Sequence, residues 1–119
     1  MQVDEAKLIR TILRLLQLLV EARYVELANL TQSGSLTSQQ TREAVETWPY
    51  PLVTPSSSSL ADLIYDEAVE VADVSPAKWS IYINLWTKEE GRSDLTLEVT
   101  VCDNSSEYYD VRIENIHVL

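Results

Sequence analysis

Apart from carboxylates, the side chains that most often carry chemistry are scarce in this chain. It has one histidine, His117, and one cysteine, Cys102. These two residues fall on different predicted strands, and no third group is placed to orient them, so they do not indicate a nucleophile–base pair. One histidine and one cysteine also cannot supply the repeated ligand spacing of a metal centre. We therefore expect no catalytic residues, no metal site and no cofactor, although an enzymatic role is not excluded.

Carboxylates are plentiful, and five of them follow one another without an intervening base. They are Asp62, Asp66, Glu67, Glu70 and Asp73. Such a run is either a solvated acidic edge or a docking surface for a basic partner. The ligand spacing and the central glycine of a calcium loop are missing, which disfavours a divalent-cation site.

Aromatic residues provide a second candidate binding surface. In the strand predicted over residues 79–86, Tyr82 and Trp86 lie on the face that is otherwise polar. An aromatic pair on a polar sheet face is typical of a binding surface. The alternative is that the proline-rich segment, which carries Trp48 and Tyr50, covers the pair. Both interpretations remain open at this point.

The net charge of −10 is concentrated in the second half of the chain. Residues 1–60 hold six acids and five bases, a net of −1, whereas residues 61–119 hold thirteen acids and four bases, a net of −9. This excess of acid disfavours binding to nucleic acid and to anionic lipid. No apolar run approaches the ~18 residues of a membrane span. We expect a protein partner, with a basic surface as its natural complement, and a homodimer remains open.

The first half of the chain predicts helices. On a helical wheel from Lys7 to Val20, apolar residues fill an arc of about 160° opposite a stripe of basic residues. This pattern breaks at residues 22–24, where the first helix should end. A short helix is predicted over residues 24–30, and a third over residues 38–47. A capping box of Thr37 and Gln40 opens the third helix.

The second half predicts strands. Val69 and Val71 indicate a first strand that ends before Ser75-Pro76, and clearer alternation follows over residues 79–86, 94–102 and 109–118. In the last strand the apolar set changes phase around Glu114 and Asn115, which requires a bulge or a bend.

One domain with three parts is expected: a helical part over residues 1–48, a Pro- and Ser-rich connector without regular structure over 49–60, and a sheet over 61–119. The fold class is α+β, with N-terminal helices packed on one face of a four-stranded antiparallel meander sheet.

The register of the last two strands follows from the turn between them. A five-residue turn over residues 103–107 pairs Cys102 with Tyr108 and places Arg112 opposite Glu98. Arg112 would then lie beside Tyr82 and Trp86, and the resulting patch is the candidate site for an anionic or polar contact. The alternative is a plain surface ion pair between Glu98 and Arg112.

Several C-terminal segments resemble a family of small bacterial proteins of unknown function. They are residues 85–87 (Leu-Trp-Thr), residues 90–98 (Glu-Gly-Arg-Ser-Asp-Leu-Thr-Leu-Glu) and residues 116–119 (Ile-His-Val-Leu). The resemblance implies a bacterial cytoplasmic protein with an α+β fold, and it brings no assigned activity. The lone Cys102 fits a reducing cytoplasm. The order of helices before a curved sheet is also similar to cystatin-like folds, including the nuclear-transport-factor-like group.

Two functions remain in competition. The leading hypothesis is a non-enzymatic acidic protein-interaction module, such as an immunity protein or a regulatory partner of a basic protein surface. The alternative is a cystatin-like domain, small-molecule-binding or enzymatic, with a pocket between helices and sheet.

Overall fold

The structure is a computed structural model that describes residues 3–67, 69–72 and 75–118, with the backbone alone between 63 and 67. The elements run in the order α1 (Glu5–Val20), α2 (Tyr24–Leu30), α3 (Ser38–Glu46), β1 (Leu52–Val53), α4 (Ser57–Glu67), β2 (Val69–Glu70), β3 (Lys78–Thr87), β4 (Gly91–Cys102) and β5 (Asp110–Val118). Helices precede the antiparallel sheet, which confirms the predicted α+β class.

Helix α1 covers the predicted apolar arc and ends at Val20, two residues before the predicted break at residues 22–24. The Asp4 side chain caps its first turn by accepting a hydrogen bond of 3.1 Å from the backbone N–H of Lys7. The apolar arc is buried in the core, at Leu8, Ile12, Leu15, Leu16 and Leu19. After Val20 the helix stops, and Ala22, with a φ of 57°, turns the chain into α2.

Helices α2 and α3 also match their predictions, and the loop between them covers an edge of the sheet. The capping box of Thr37 and Gln40 is formed at the start of α3. In the preceding loop, the backbone N–H of Gln32 donates to the Val111 carbonyl at 2.7 Å. The Ser35 hydroxyl accepts from the N–H of Ile113 at 2.9 Å. These bonds satisfy the outer edge of β5, which would otherwise expose unpaired backbone groups.

The sheet has the order β1-β3-β4-β5, with β2 also paired to β3, and all of its pairs are antiparallel. The three long strands form the predicted meander. Their inward side chains alternate with outward ones, as a one-sided sheet requires, and are buried at Trp79, Ile81, Ile83, Leu85, Leu95, Leu97, Val99, Val101, Val111 and Ile113. Two short strands bring the total to five rather than the predicted four.

The expectation of an irregular connector over 49–60 is wrong. Strand β1 lies within it and pairs Val53 with Trp86. Helix α4 starts inside the serine run, where the Ser56 hydroxyl accepts a hydrogen bond from the backbone N–H of Ser59 at 3.2 Å. A serine run is typical of a linker, but serine is also among the best helix N-caps, and here Ser56 caps α4.

The predicted strand at Val69 and Val71 is formed for only two residues, Val69 and Glu70. Val69 is 64 % exposed and Val71 is 37 % exposed. Helix α4 packs against both α1 and β3 and buries Leu60 there.

The register between β4 and β5 differs from the predicted one by two residues. Cys102 pairs with Asp110, and Thr100 pairs with Arg112. The prediction that Arg112 lies opposite Glu98 is therefore wrong. The predicted bulge is confirmed, because Glu98 pairs with Asn115 while the next residue of β4 pairs with Ile113.

Contacts with α1 explain the longer loop over residues 103–109. The Lys7 ammonium donates to the backbone oxygen and to Oδ1 of Asn104, at 2.7 and 2.8 Å. The Thr11 hydroxyl accepts a 3.0 Å bond from the N–H of Tyr109, whose own hydroxyl accepts a 2.9 Å bond from the N–H of Asp4. Tyr109 is thus held by the helix and not by the strand ladder. The basic stripe of α1 contacts this loop, and Lys7 is buried.

The stability of the protein is expected to fall as the pH rises above about 10, the usual pKa of tyrosine. Burial raises the pKa of Tyr109 in the folded state. The unfolded chain therefore loses this proton first, so the contribution is complete below the unfolded pKa and disappears as the pH passes the folded one. In urea unfolding between pH 8 and 12, the free energy of unfolding should decline less steeply with pH for Tyr109→Phe than for the wild type. Equal slopes would contradict this prediction.

Candidate functional site

The side of the sheet that points away from the helical core is called here the outer sheet face. Its side chains stand in rows that cross β3, β4 and β5. One row contains Tyr82, Glu98 and Asn115, and the row beside it contains Asn84, Thr96 and His117. Register thus brings together residues that are far apart in the sequence.

Glu98 lies at the centre of this face. The Tyr82 hydroxyl donates to Glu98 Oε1 at 3.3 Å, and His117 Nε2 lies 3.4 Å from Glu98 Oε2. The Asn115 amide nitrogen lies 3.2 Å from the other ring nitrogen of His117. The negative charge of Glu98 raises the pKa of the Tyr82 phenol, so this hydroxyl keeps its proton and continues to donate. The carboxylate thus lies between the Tyr82 hydroxyl, which donates to it, and the His117 ring, while Tyr82 remains 37 % exposed.

Arg112 lies away from this centre, contrary to the prediction. Its Nε is 3.2 Å from Glu114 Oε1, which also accepts a 3.1 Å hydrogen bond from the Thr100 hydroxyl. The guanidinium lies against Gly34, where an added Cβ would come within 3.2 Å of Cζ. The two-residue difference in register moves Arg112 beyond reach of Glu98, so it does not complete a patch with Tyr82.

Trp86 is half-buried at the end of β3. Strand β1, which belongs to the proline-rich segment, pairs beside it. On its other side Trp86 pairs with Arg92, whose Nε donates to Asn84 Oδ1 at 2.8 Å. Trp86 is therefore partly covered, and Tyr82 is the more accessible of the two.

The acidic run is distributed over two elements. Asp62 is exposed on α4, and Glu70 is exposed on β2. Asp66 and Glu67 also belong to α4, but their side chains lie outside the described part of the chain, as does the whole of Asp73. The prediction of an acidic edge therefore lies outside the described residues for three of its five carboxylates.

A groove of about 340 Å³ lies where the helices meet the proline-rich segment, and the sequence analysis did not find it. Its walls come from the end of α1, the start of α2, the end of α3 and residues 48–52. Tyr24, Trp48 and Tyr50 supply aromatic surface, and Glu46 supplies a carboxylate. The only sequence signal was the presence of two aromatic residues among prolines, because the groove depends on contacts between distant segments.

The part of the chain that the structure describes contains neither a metal-binding cluster nor a membrane-spanning helix. No group of three or more His, Cys, Asp or Glu side chains is arranged to hold a metal ion within residues 3–67, 69–72 and 75–118. None of the described helices is long and apolar enough to cross a membrane.

Comparison with protein families gives one match. The sequence model of DUF7668, a domain of unknown function, matches residues 16–119, from the middle of α1 to the end of the chain. Neither the curated proteins nor the solved structures gave a match.

Proposed function

The chain belongs to DUF7668, a domain family of unknown function, and we propose that it is a non-enzymatic protein-interaction module that binds a basic partner through its outer sheet face. The family assigns no activity, so the proposal rests on the residues of this chain. The observation that carries it is the arrangement of Tyr82 and Glu98 at the centre of the face.

The geometry of this pair favours protein binding for two reasons. Tyrosine is enriched among the residues that dominate binding energy at interfaces, and Tyr82 is both exposed and joined to Glu98. Side chains that are already held by hydrogen bonds lose less conformational freedom when a partner arrives. Glu98, which lies between Tyr82 and His117 and accepts a hydrogen bond from Tyr82, offers its carboxylate to a lysine or arginine of that partner.

The charge of the chain supports a basic partner. The second half, which forms the long strands, carries the net of −9, and exposed acids such as Asp94 and Asp110 belong to β4 and β5. The electrostatic field of this negative charge accelerates association with a positively charged surface, and salt weakens it. The interaction should therefore depend strongly on ionic strength.

Affinity capture with matched variants tests the proposal. The wild type, Tyr82→Ala, Glu98→Gln and the control Glu43→Gln, an exposed acid of α3, are immobilised and exposed to lysate of the source cells. We expect a basic protein to be retained by the wild type and the control. Tyr82→Ala should lower its retention about tenfold or more, because truncating an aromatic anchor is costly. Retention should also fall between about 50 and 300 mM salt, over which the Debye length shortens.

Other results would oppose the proposal. Equal retention by Tyr82→Ala and the wild type would show that the outer sheet face is not the interface. A ligand-dependent rise in melting temperature with a metabolite, without any captured protein, would favour the small-molecule alternative.

A bacterial origin and a cytoplasmic location belong to the same proposal. The bacterial origin is supported by the C-terminal resemblance to small bacterial proteins. The location is supported by Cys102, a free and buried thiol, because cysteines in reducing compartments remain unpaired.

A further inference from the structure

We infer that the groove between the helix ends and the proline-rich segment accepts an arginine side chain from an extended segment of a partner protein. This goes beyond the function proposed above, because the groove is separate from the outer sheet face and uses other residues.

The walls of the groove suit the long apolar stem of a basic side chain and the residues next to it. The buried ring of Tyr24 and the half-buried ring of Trp48 are joined by Tyr50, which is 41 % exposed. Pro49 and Pro51 stand on either side of Tyr50, and their fixed φ angles limit the conformations of this wall. The indole of Trp48 is held in place by donating to Glu90 Oε1 at 2.9 Å. The groove is therefore formed before any ligand arrives, as binding sites usually are.

The charge at the groove suits a cation. Glu46 lines it with a side chain that is 62 % exposed. Burial, and then the negative charge of Glu46, raise the pKa of Tyr24, so the phenol beside the carboxylate stays neutral. Aromatic faces next to a carboxylate are attractive to a cation and offer little to an anion.

Arg42 of the same chain shows which cation fits. Its Cζ lies 5.7 Å from the centroid of the Tyr24 ring, and its Nε lies 4.0 Å from Glu46 Oε1. Both contacts are long and the Arg42 side chain is 59 % exposed, so this guanidinium is only loosely held. An incoming guanidinium can pair with the exposed Glu46 carboxylate and stack on the exposed ring of Tyr50, and Arg42 competes with it for Glu46.

Arginine fits this arrangement better than lysine. A planar guanidinium stacks on aromatic rings and can pair with a carboxylate through two parallel hydrogen bonds, whereas an ammonium does neither. A volume of about 340 Å³ has room for one long side chain with part of its neighbours, and not for a folded partner element. The ligand is therefore one arginine in an extended segment.

A peptide titration followed by NMR tests this inference. The probe is the blocked pentapeptide Ala-Pro-Arg-Pro-Ala, and its control replaces arginine with citrulline, which has nearly the same shape without the charge. We expect saturable shifts of the Trp48 indole N–H and of backbone amides around residues 45–52, with the citrulline peptide binding more weakly. Glu46→Gln should weaken binding of the arginine peptide about two- to fivefold, which is the range of an exposed ion pair.

The variant Arg42→Gln provides the most specific result, because it should strengthen binding by removing the internal competitor. Glu43→Gln, one turn before Glu46 on α3, and Tyr82→Ala, on the outer sheet face, should leave binding of the arginine peptide unchanged. All four substituted side chains are exposed, and circular dichroism confirms that each variant is folded. Equal binding of the arginine and citrulline peptides would overturn the inference. So would shifts confined to β3–β5, which would assign the basic segment to the outer sheet face.

Discussion

Replacing Leu16 with alanine is expected to lower the free energy of unfolding by about 2–5 kcal/mol. Leu16 is 3 % exposed and belongs to the core in which α1 meets the sheet. Truncation removes the transfer free energy of the buried carbons and leaves a cavity that the neighbouring side chains fill only in part. Urea unfolding monitored by tryptophan fluorescence measures the loss.

The control for this measurement is Gln17→Ala, the next residue of the same helix, whose side chain is exposed. It should change stability by no more than about 0.5 kcal/mol, as surface substitutions usually do. If Leu16→Ala also lowered the free energy of unfolding by no more than about 0.5 kcal/mol, the placement of this face of α1 in the core would be contradicted.

Replacing Asn104 with alanine is expected to cost about 1–3 kcal/mol of stability, because it removes a hydrogen-bond acceptor from a buried charged group. Lys7 is 8 % exposed, and Asn104 supplies it with a side-chain oxygen at 2.8 Å. After the substitution the ammonium keeps the backbone oxygen of residue 104 and the face of the Tyr109 ring, which is 4.4 Å away. The same side-chain oxygen accepts from the backbone N–H of Ser106, so the loop is loosened as well.

Ser105→Ala is the matched control, because Ser105 is an exposed neighbour in the same loop. This substitution should leave the free energy of unfolding nearly unchanged. If Asn104→Ala were equally neutral in urea unfolding, the contact between α1 and the 103–109 loop would not be the cause of the β4–β5 register.

The features predicted correctly from the sequence are those that depend on neighbouring residues. The end of α1 follows from a local break in its apolar arc, and the capping box of Thr37 and Gln40 is a contact between residues three apart. The bulge at Glu114 follows from a change of phase within one strand. Each of these signals lies within a few residues of the structure that it specifies.

The features that were missed depend on contacts between distant segments. The predicted register of β5 assumes a five-residue turn over residues 103–107, but Lys7 and Thr11, about a hundred residues earlier, hold the loop and lengthen it. That difference also separated Arg112 from Glu98 and brought His117 to Glu98 in its place. The groove was missed for the same reason, because Tyr24, Glu46 and Tyr50 meet only after three helices have packed.

Protein binding by the outer sheet face is tested most directly by photo-cross-linking in the source cells. Benzoylphenylalanine is introduced in place of Tyr82, and in a second variant in place of Val25, a 62 % exposed residue of α2. We expect one basic protein, identified by mass spectrometry, to be cross-linked from position 82 and not from position 25. The absence of any cross-linked protein at position 82, or the same set of proteins from both positions, would contradict this expectation.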